Sequence, residues 1–580
     1  MRPISRNRLL GSLKEAASWP GADRGTLVTL AAVLVTVRAD AEGSRYFQDR
    51  SDENPANATA QALAGFFQVR AGHDLASAMD RLDTAVTMDV GLPQYFRGLA
   101  LAELLPGAGP SDEGPAAADT WRAEQVTADL ELVLAARDQF PAFLLRAAYQ
   151  ALARACLLLG RRQQAAEALR RSGLGPVAAD RPPAFTSFSV TARDGMRLSA
   201  PAVLNPAPNV HVAQSYDVGD FAFIQTSAGV VAIDAGTSPD RVLAAMADLG
   251  LKDHGPVSHL ILTHAHFDHV GGTAAVRGPD TQIIASAGFP AEAGRQRHWS
   301  VSRYRSGTGA SPASNVEPDR LIAERTSLVV GDTELALIPV RGGETPDALM
   351  VHLPASGLLF TGDVMMPYLG VPFTGEGSPE GLLEALRCIR ELAPRQLIGG
   401  HTTLTENFTI EALTGLEPAL TELHKFALAK IGENISLPHI LDVGYLPVLL
   451  RDHPAAVVPY LVSRDDFIAR LHHQRTGYWQ PDGQGLDPRS QEERAAALDL
   501  LAGGKADAFA YAAANLADQG DLALALDIVT PGLLRHPDSS ELAELRQEVL
   551  VRLMEQRQLW DPFGFLVYAE LAGAELLPVQ

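Results

Sequence analysis

The residues from Leu260 to Gly272, LILTHAHFDHVGG, gather four side chains of metal-ligand type into six positions. An aliphatic strand stops at Thr263 and delivers His264, His266, Asp268 and His269 into the following loop. Alternate side chains of an extended backbone share a face, so His264 and His266 can grip one ion. Asp268 and His269 follow where the chain turns, and can hold a second. Gly271 and Gly272 let the backbone fold tightly into the next helix. With 16 His in 580 residues, this density at HxHxDH spacing does not arise from scattered solvated histidines. Two cysteines, Cys156 and Cys388, can form neither a disulfide framework nor a thiolate cluster, so any metal must rely mainly on His and carboxylate ligands.

The HxHxDH loop resembles that of the metallo-β-lactamase superfamily over about residues 205–405. The resemblance implies a four-layer αββα sandwich with two metals at one edge and three further ligands in chain order. A bridging carboxylate ending a strand in a Thr-Gly-Asp turn is supplied by Leu358–Asp363, LLFTGD, as Asp363. A last histidine after another strand is supplied by Leu397–His401, LIGGH, as His401. The remaining ligand is usually the His of a Gly-His-Thr-Pro run. Here the run is Gly343-Glu344-Thr345-Pro346, and Glu344 takes the place. A carboxylate is a competent zinc ligand, though its charge lowers the Lewis acidity of the metal it binds.

The alkylsulfatase branch of that superfamily has Glu at this position, and the chain is similar to it beyond the loop. Gln214–Asp234 looks like its opening β-hairpin, and nineteen residues separate Glu344 from Asp363, as in its two metal-binding carboxylates. Arg475–Pro481, the Ala506–Leu534 hairpin and Trp560–Leu571 resemble its helical dimerisation region, which implies a homodimer through the C-terminal helices. The Asn and the Thr-Leu-Arg-Gly run that hold sulfate in those enzymes are absent between Asp363 and His401. Arg387 and Arg390 in that interval read as solvated residues of a helix. Candidate substrate-binding residues are Arg303 and Tyr304, in the Arg- and Tyr-rich stretch Arg297–Arg305.

The resemblance implies two Zn2+, with Mn or Fe also compatible with three carboxylates among seven ligands. On that resemblance, His264, His266 and Glu344 are expected to hold one metal and Asp268, His269 and His401 the other, with Asp363 between them. A water shared by two such cations has its pKa lowered from roughly 15.7 toward ~7, and Asp268 acts catalytically by orienting it. The expected activity is metal-dependent hydrolysis of a small-molecule ester. Sulfuric ester cleavage is the first reading, and a carboxylic ester, lactone or thioester on the same metals is the alternative. A non-catalytic scaffold is the third.

The elements that must position these residues read as follows. Short β-rich runs alternate with helices between about 205 and 410, from Val210–Gln214 through Gln396–Ile398, which marks an α/β layered domain. Before them, helical runs open at Thr26, Thr59, Pro93 and Pro141. The 33- and 34-residue intervals between the first three resemble a tetratricopeptide array, and Pro106–Asp119 reads as an inserted loop. After about 411 the chain returns to helix. The expected architecture is therefore an α/β metallo-β-lactamase αββα sandwich flanked by N-terminal and C-terminal α-helical repeat-like domains. The expected boundaries are 1–183, 184–410 and 411–580.

Composition bounds the rest. Hydrophobic residues make up 46 % of the chain and charged residues 20 %, as in an ordinary globular protein. With 48 Lys and Arg against 69 Asp and Glu, the net charge of −21 opposes binding to nucleic acid or anionic lipid. No run reaches the ~18–20 apolar residues of a membrane span. Thr26–Val37 is too short for one, and Arg38 and Asp40 stand where a leader's cleavage site belongs. It reads as a buried repeat helix of a cytoplasmic protein.

Overall fold

The computed structural model describes residues 8–106, 116–173, 183–187, 189–191, 195–197, 200–251, 256–296, 316–370, 376–477 and 485–573. A small hairpin, β1 (Ser189–Thr191) and β2 (Gly195–Arg197), precedes two larger sheets. The first is seven-stranded, in the order β3 (Ala202–Ala207), β4 (Val210–Gln214), β5 (Phe221–Thr226), β6 (Gly229–Ile233), β7 (Val257–Ile261), β8 (Gln282–Ser286), β9 (Arg320–Ile322). It is antiparallel from β3 to β6 and parallel from β6 to β9. The second runs β10 (Thr326–Val330), β11 (Thr333–Pro339), β12 (Leu349–Leu353), β13 (Leu358–Gly362), β14 (Gln396–Gly399), and only its β13–β14 pair is parallel.

The period-2 alternation of strand side chains builds the layers. Ile224, Val231, Ile233, Ile261 and Ile284 of the first sheet meet Leu335, Leu337, Leu349, Val351 and Phe360 of the second. Their neighbours point outward. Phe223, Ala232, Leu260 and Ile283 pack on Val242 and Ala245 of the helix Pro239–Asp248 and on Phe289. Ala336, Ile338, Met350 and Leu359 pack on Leu382, Leu386 and Ile389 of the helix Pro379–Leu392. Because both faces of each sheet are covered, the central strands are apolar throughout rather than alternating. The result is the αββα sandwich expected, with helical regions at both ends.

The N-terminal helices Arg24–Thr36, Ala58–Arg70 and Leu92–Glu103 open at a regular 34-residue interval, and Ala142–Leu158 follows after a longer gap. The apolar run Thr26–Val37 falls on the first of these, whose residues Thr26 to Thr36 are all buried. Among the described residues no helix is long and apolar enough to cross a membrane. A single hydrophobic cluster joins these helices to the outer layer of the second sheet and to the helices Ile410–Gly432 and Val457–Thr476. Polar contacts span the same junction. Buried Arg464 donates to Ser12 Oγ at 2.6 Å, and Arg38 pairs with Glu555 at 2.6 Å.

Two helices near the N-terminus differ from the sequence reading. The expected loop Pro106–Asp119 ends early, because the helix Ala117–Ala135 begins inside it; 107–115 lie outside the described residues. Alanine-rich segments carry high helix propensity, and the Gly/Pro composition next to it concealed that start. The helix Asp40–Glu53 was not foreseen, since it is polar over most of its surface. It buries small residues instead: Gly43 lies so close to the Phe67 ring that a Cβ would collide with it, and Phe47 stacks on Phe67 at 5.5 Å.

Leu337 is fully buried between the sheets. Leu337→Ala should lower the unfolding free energy by about 2–5 kcal/mol through lost burial and a residual cavity, read as a drop in the denaturant midpoint with an unchanged slope.

Candidate metal centre

The ligand loop is set by the residue that ends the neighbouring strand. Asp234 follows β6 with a positive φ of 60°, a backbone conformation that Asp tolerates better than most residues. Its Oδ1 accepts the Thr263 N–H at 2.8 Å. Its Oδ2 accepts the Thr263 hydroxyl at 2.7 Å and His269 Nδ1–H at 2.8 Å. Since the Thr263 hydroxyl donates to Asp234, its lone pair accepts His264 Nδ1–H at 3.1 Å. The turn before β5 holds the far side of the site. Asp220 accepts the Ser215 and Thr402 N–H groups at 2.8 Å and the Thr402 hydroxyl, and His401 Nδ1 donates to the Val218 carbonyl at 2.8 Å. His266 Nε2 donates to Glu376 Oε2 at 3.2 Å.

With those nitrogens engaged, the other ring nitrogens face inward. His264 Nε2, His266 Nδ1, Glu344 and Asp363 form one group, and Asp268, His269 Nε2 and His401 Nε2 a second. In the first, Glu344 Oε2 stands 3.5 Å from His264 Nε2 and 3.4 Å from His266 Nδ1. In the second, Asp268 Oδ2 stands 3.3 Å from His401 Nε2 and 3.8 Å from His269 Nε2. Asp363 Oδ2 reaches both, at 3.8 Å from His264, 3.3 Å from His269 and 3.0 Å from His401. Ligands about 2.0–2.1 Å from a tetrahedral cation stand about 3.3 Å apart, so both groups have the dimensions of a cation site. Among the described residues, His264 Nε2, His269 Nε2, Glu344 Oε2 and Asp363 Oδ1 are buried with no hydrogen-bond partner. Buried polar atoms of this kind need a ligand, and the nitrogen–oxygen donor set suits zinc or a comparable divalent ion.

Against the effect of burial, facing carboxylates hold the His266, His269 and His401 imidazoliums well above their usual range, whereas His264 lies the other way. Burial, followed by the like charges of His269 and His266, holds the His264 imidazolium well below its usual range. Burial pushes the Glu344 carboxyl up to about 8; His266 opposes this and Asp363 reinforces it. Burial alone would raise Asp268 and Asp363, but facing imidazoles bring both below the usual carboxylate range. Close packing fixes the geometry. A Cβ at Gly400 would collide with Asp363 Oδ1, and one at Gly219 with the Asp268 carbonyl.

All seven ligand candidates, His264, His266, Asp268, His269, Glu344, Asp363 and His401, lie together in these two groups. Arg303 and Tyr304 lie outside the described residues. Arg387 and Arg390 sit on the helix Pro379–Leu392, half-exposed and facing Glu417, with Arg390 at 2.9 Å from it. Residues the motifs did not reveal are Asp234, Asp220, Glu376 and Tyr368. Asp234 ends a β-rich run ahead of the histidine loop, which was a usable signal. Tyr368 lies where burial, and then the charges of Glu344, Asp363 and Asp268, push its phenol well above the usual range.

Comparison with known proteins agrees with this geometry. Residues 217–401 match the Metallo-beta-lactamase superfamily. This segment is a metallo-β-lactamase domain. A hydroxyacylglutathione hydrolase of Cereibacter sphaeroides is 29 % identical over 203 residues, covering 34 % of this chain and 68 % of its own length. A linear primary-alkylsulfatase of a Pseudomonas species is 22 % identical over 335 residues, covering 51 % of this chain and 63 % of its own. The solved stereoselective inverting sec-alkylsulfatase Pisa1 from Pseudomonas superposes with a TM-score of 0.52 at 17 % identity, over 65 % of this chain and 66 % of that one. The match to either alkylsulfatase thus spans less than two thirds of its length. The structural likeness is one of fold: the metallo-β-lactamase domain with helical regions beside it.

Asp347, 1 % exposed, gives a pH test of this domain. Burial pushes its carboxyl up to about 7, against Thr345 and His266. A carboxyl raised on folding adds most stability below its unfolded pKa of about 4, and loses it as pH rises toward 7. In metal-free protein, Asp347→Asn should therefore gain on the wild type between about pH 4 and 7, by on the order of 1 kcal/mol per pH unit. Denaturant midpoints across that range measure it. Separately, Asp234→Ala should weaken metal binding at the His269 group by about 10–100-fold, read by metal titration.

Proposed function

We propose that this chain is a dinuclear metal-dependent hydrolase of an ester bond, working at the two groups joined by Asp363. One observation carries the reading: a single carboxylate oxygen, Asp363 Oδ2, lies 3.0–3.8 Å from ring nitrogens of both groups. A bound pair of divalent cations supplies Lewis acidity and brings the pKa of a water near ~7. Asp363 would be shared by the two groups, since its Oδ2 faces histidines of both. Asp268 orients the attacking water through its carboxylate. Tyr368 belongs to a buried apolar cluster with Met366, Leu404, Phe565 and Leu566.

The first substrate reading is a sulfuric ester of an alkyl chain, supported by Glu344 and by the likeness to alkylsulfatases that extends past the metal domain. A second reading, a carboxylic ester, lactone or thioester, is favoured by the absence of an Asn and of a Thr-Leu-Arg-Gly run between Asp363 and His401. The similarity to a hydroxyacylglutathione hydrolase points the same way.

Zinc-loaded protein should hydrolyse an ester in a panel of alkyl sulfates, carboxylic esters, lactones and thioesters, and chelation should abolish turnover. His266→Ala and Asp268→Ala should each lose metal and activity together. Full metal content and undiminished turnover in both variants would contradict the assignment. Sulfate release from an alkyl sulfate separates the two substrate readings.

A further inference from the structure

We propose that Glu376 is a positioning residue for the His264–His266–Glu344 group: it fixes the tautomer of His266 and adds a negative charge behind it. This rests on the reading of that group as a cation site. An imidazole can present Nδ1 to a cation only while Nε2 carries the proton, and a buried N–H needs an acceptor. The other three site histidines donate to the Thr263 hydroxyl, Asp234 and the Val218 carbonyl. His266 donates to Glu376 Oε2 at 3.2 Å, a carboxylate whose side chain is 1 % exposed.

The segment around Glu376 is built to hold it there. Gly370 and Gly377 have positive φ values of 76° and 91°. A Cβ at Gly370 would strike Glu376, and one at Gly377 would strike the Leu369 carbonyl. Ser378 N–H donates to the Gly343 carbonyl at 2.9 Å, which ties the segment to the residue before Glu344. Gln474 of the helix Val457–Thr476 donates to the Gly377 carbonyl at 2.8 Å, and Asp466 of the same helix accepts the Leu369 N–H. Glu344 and Glu376 are thus set by one knot of backbone, anchored from the C-terminal helical region. Outer carboxylates on ligating histidines fix ring orientation and raise ligand basicity, so Glu376 should govern affinity at this group and leave the other untouched.

The full chain, stripped with a chelator, is titrated with Zn2+ against a chromophoric competitor. Wild type should bind two ions. Glu376→Leu should weaken one site by about 10–100-fold and leave the other within twofold. Glu376→Gln keeps an acceptor and loses the charge, so it should recover most of that affinity while remaining below wild type. This graded, one-site response is not what a merely structural role would give, since general destabilisation affects both sites alike. Circular dichroism melts check folding, and should E376L not fold, E376Q decides. Wild-type affinity at both sites in every folded variant overturns the proposal, as does equal loss at both. A wild type that binds fewer than two ions overturns the reading of the site itself, a result seen without any variant.

Discussion

Each site histidine must turn one chosen ring nitrogen inward, and much of the surrounding structure follows from that demand. An imidazole carries one proton and one lone pair when neutral, so aiming the lone pair means anchoring the N–H on an acceptor behind it. Four such acceptors are needed, and four are present: the Thr263 hydroxyl, Asp234, the Val218 carbonyl and Glu376. The Thr263 hydroxyl serves His264 only because Asp234 takes its proton. Asp234 thereby orients two histidines at once. The cost of burying these groups is high unless a cation compensates them, which is what the proposed function supplies.

The sandwich supplies rigidity and position for this arrangement. β6, β7, β13 and β14 end near one edge, and the residues that follow them, Asp234, His264, Asp363 and His401, are the ones that meet. Parallel pairing of β6 with β7 and of β13 with β14 places those ends side by side. The turn carrying Asp220 then ties the two sheets across the site, through Asp220 N–H to the Gly400 carbonyl at 2.7 Å and through its carboxylate to Thr402. Glycine at 219 and 400 is required there because the chains approach within the space a Cβ would fill.

The helical regions are continuous with this machinery. The cluster that contains the N-terminal helices also contains Val364, Met365 and Leu369, which follow Asp363 directly. The C-terminal helix Pro562–Leu571 reaches the site through Phe563, which meets the Tyr368 ring edge-on at 5.0 Å. The packing around Tyr368 is therefore completed by a part of the chain outside residues 217–401.

The candidate ligands of the histidine loop, and most of the strands that carry the site, are legible in the order of residues. Ligand types are dictated by the ion, and their spacing in HAHFDH by local backbone geometry, so both appear in a short window. Resemblance extended this to Glu344, Asp363 and His401. Strands with continuous aliphatic runs, such as Phe221–Thr226 and Leu349–Leu353, were legible because burial on both faces leaves a strong signal. Short strands such as β9, and the polar helix Asp40–Glu53, left little. Which acceptor stands behind each histidine emerges from the folded arrangement alone. That choice depends on contacts such as His266 with Glu376, between residues far apart in the chain, and a hydrogen bond formed at such a distance leaves no periodic or local trace in the order of amino acids.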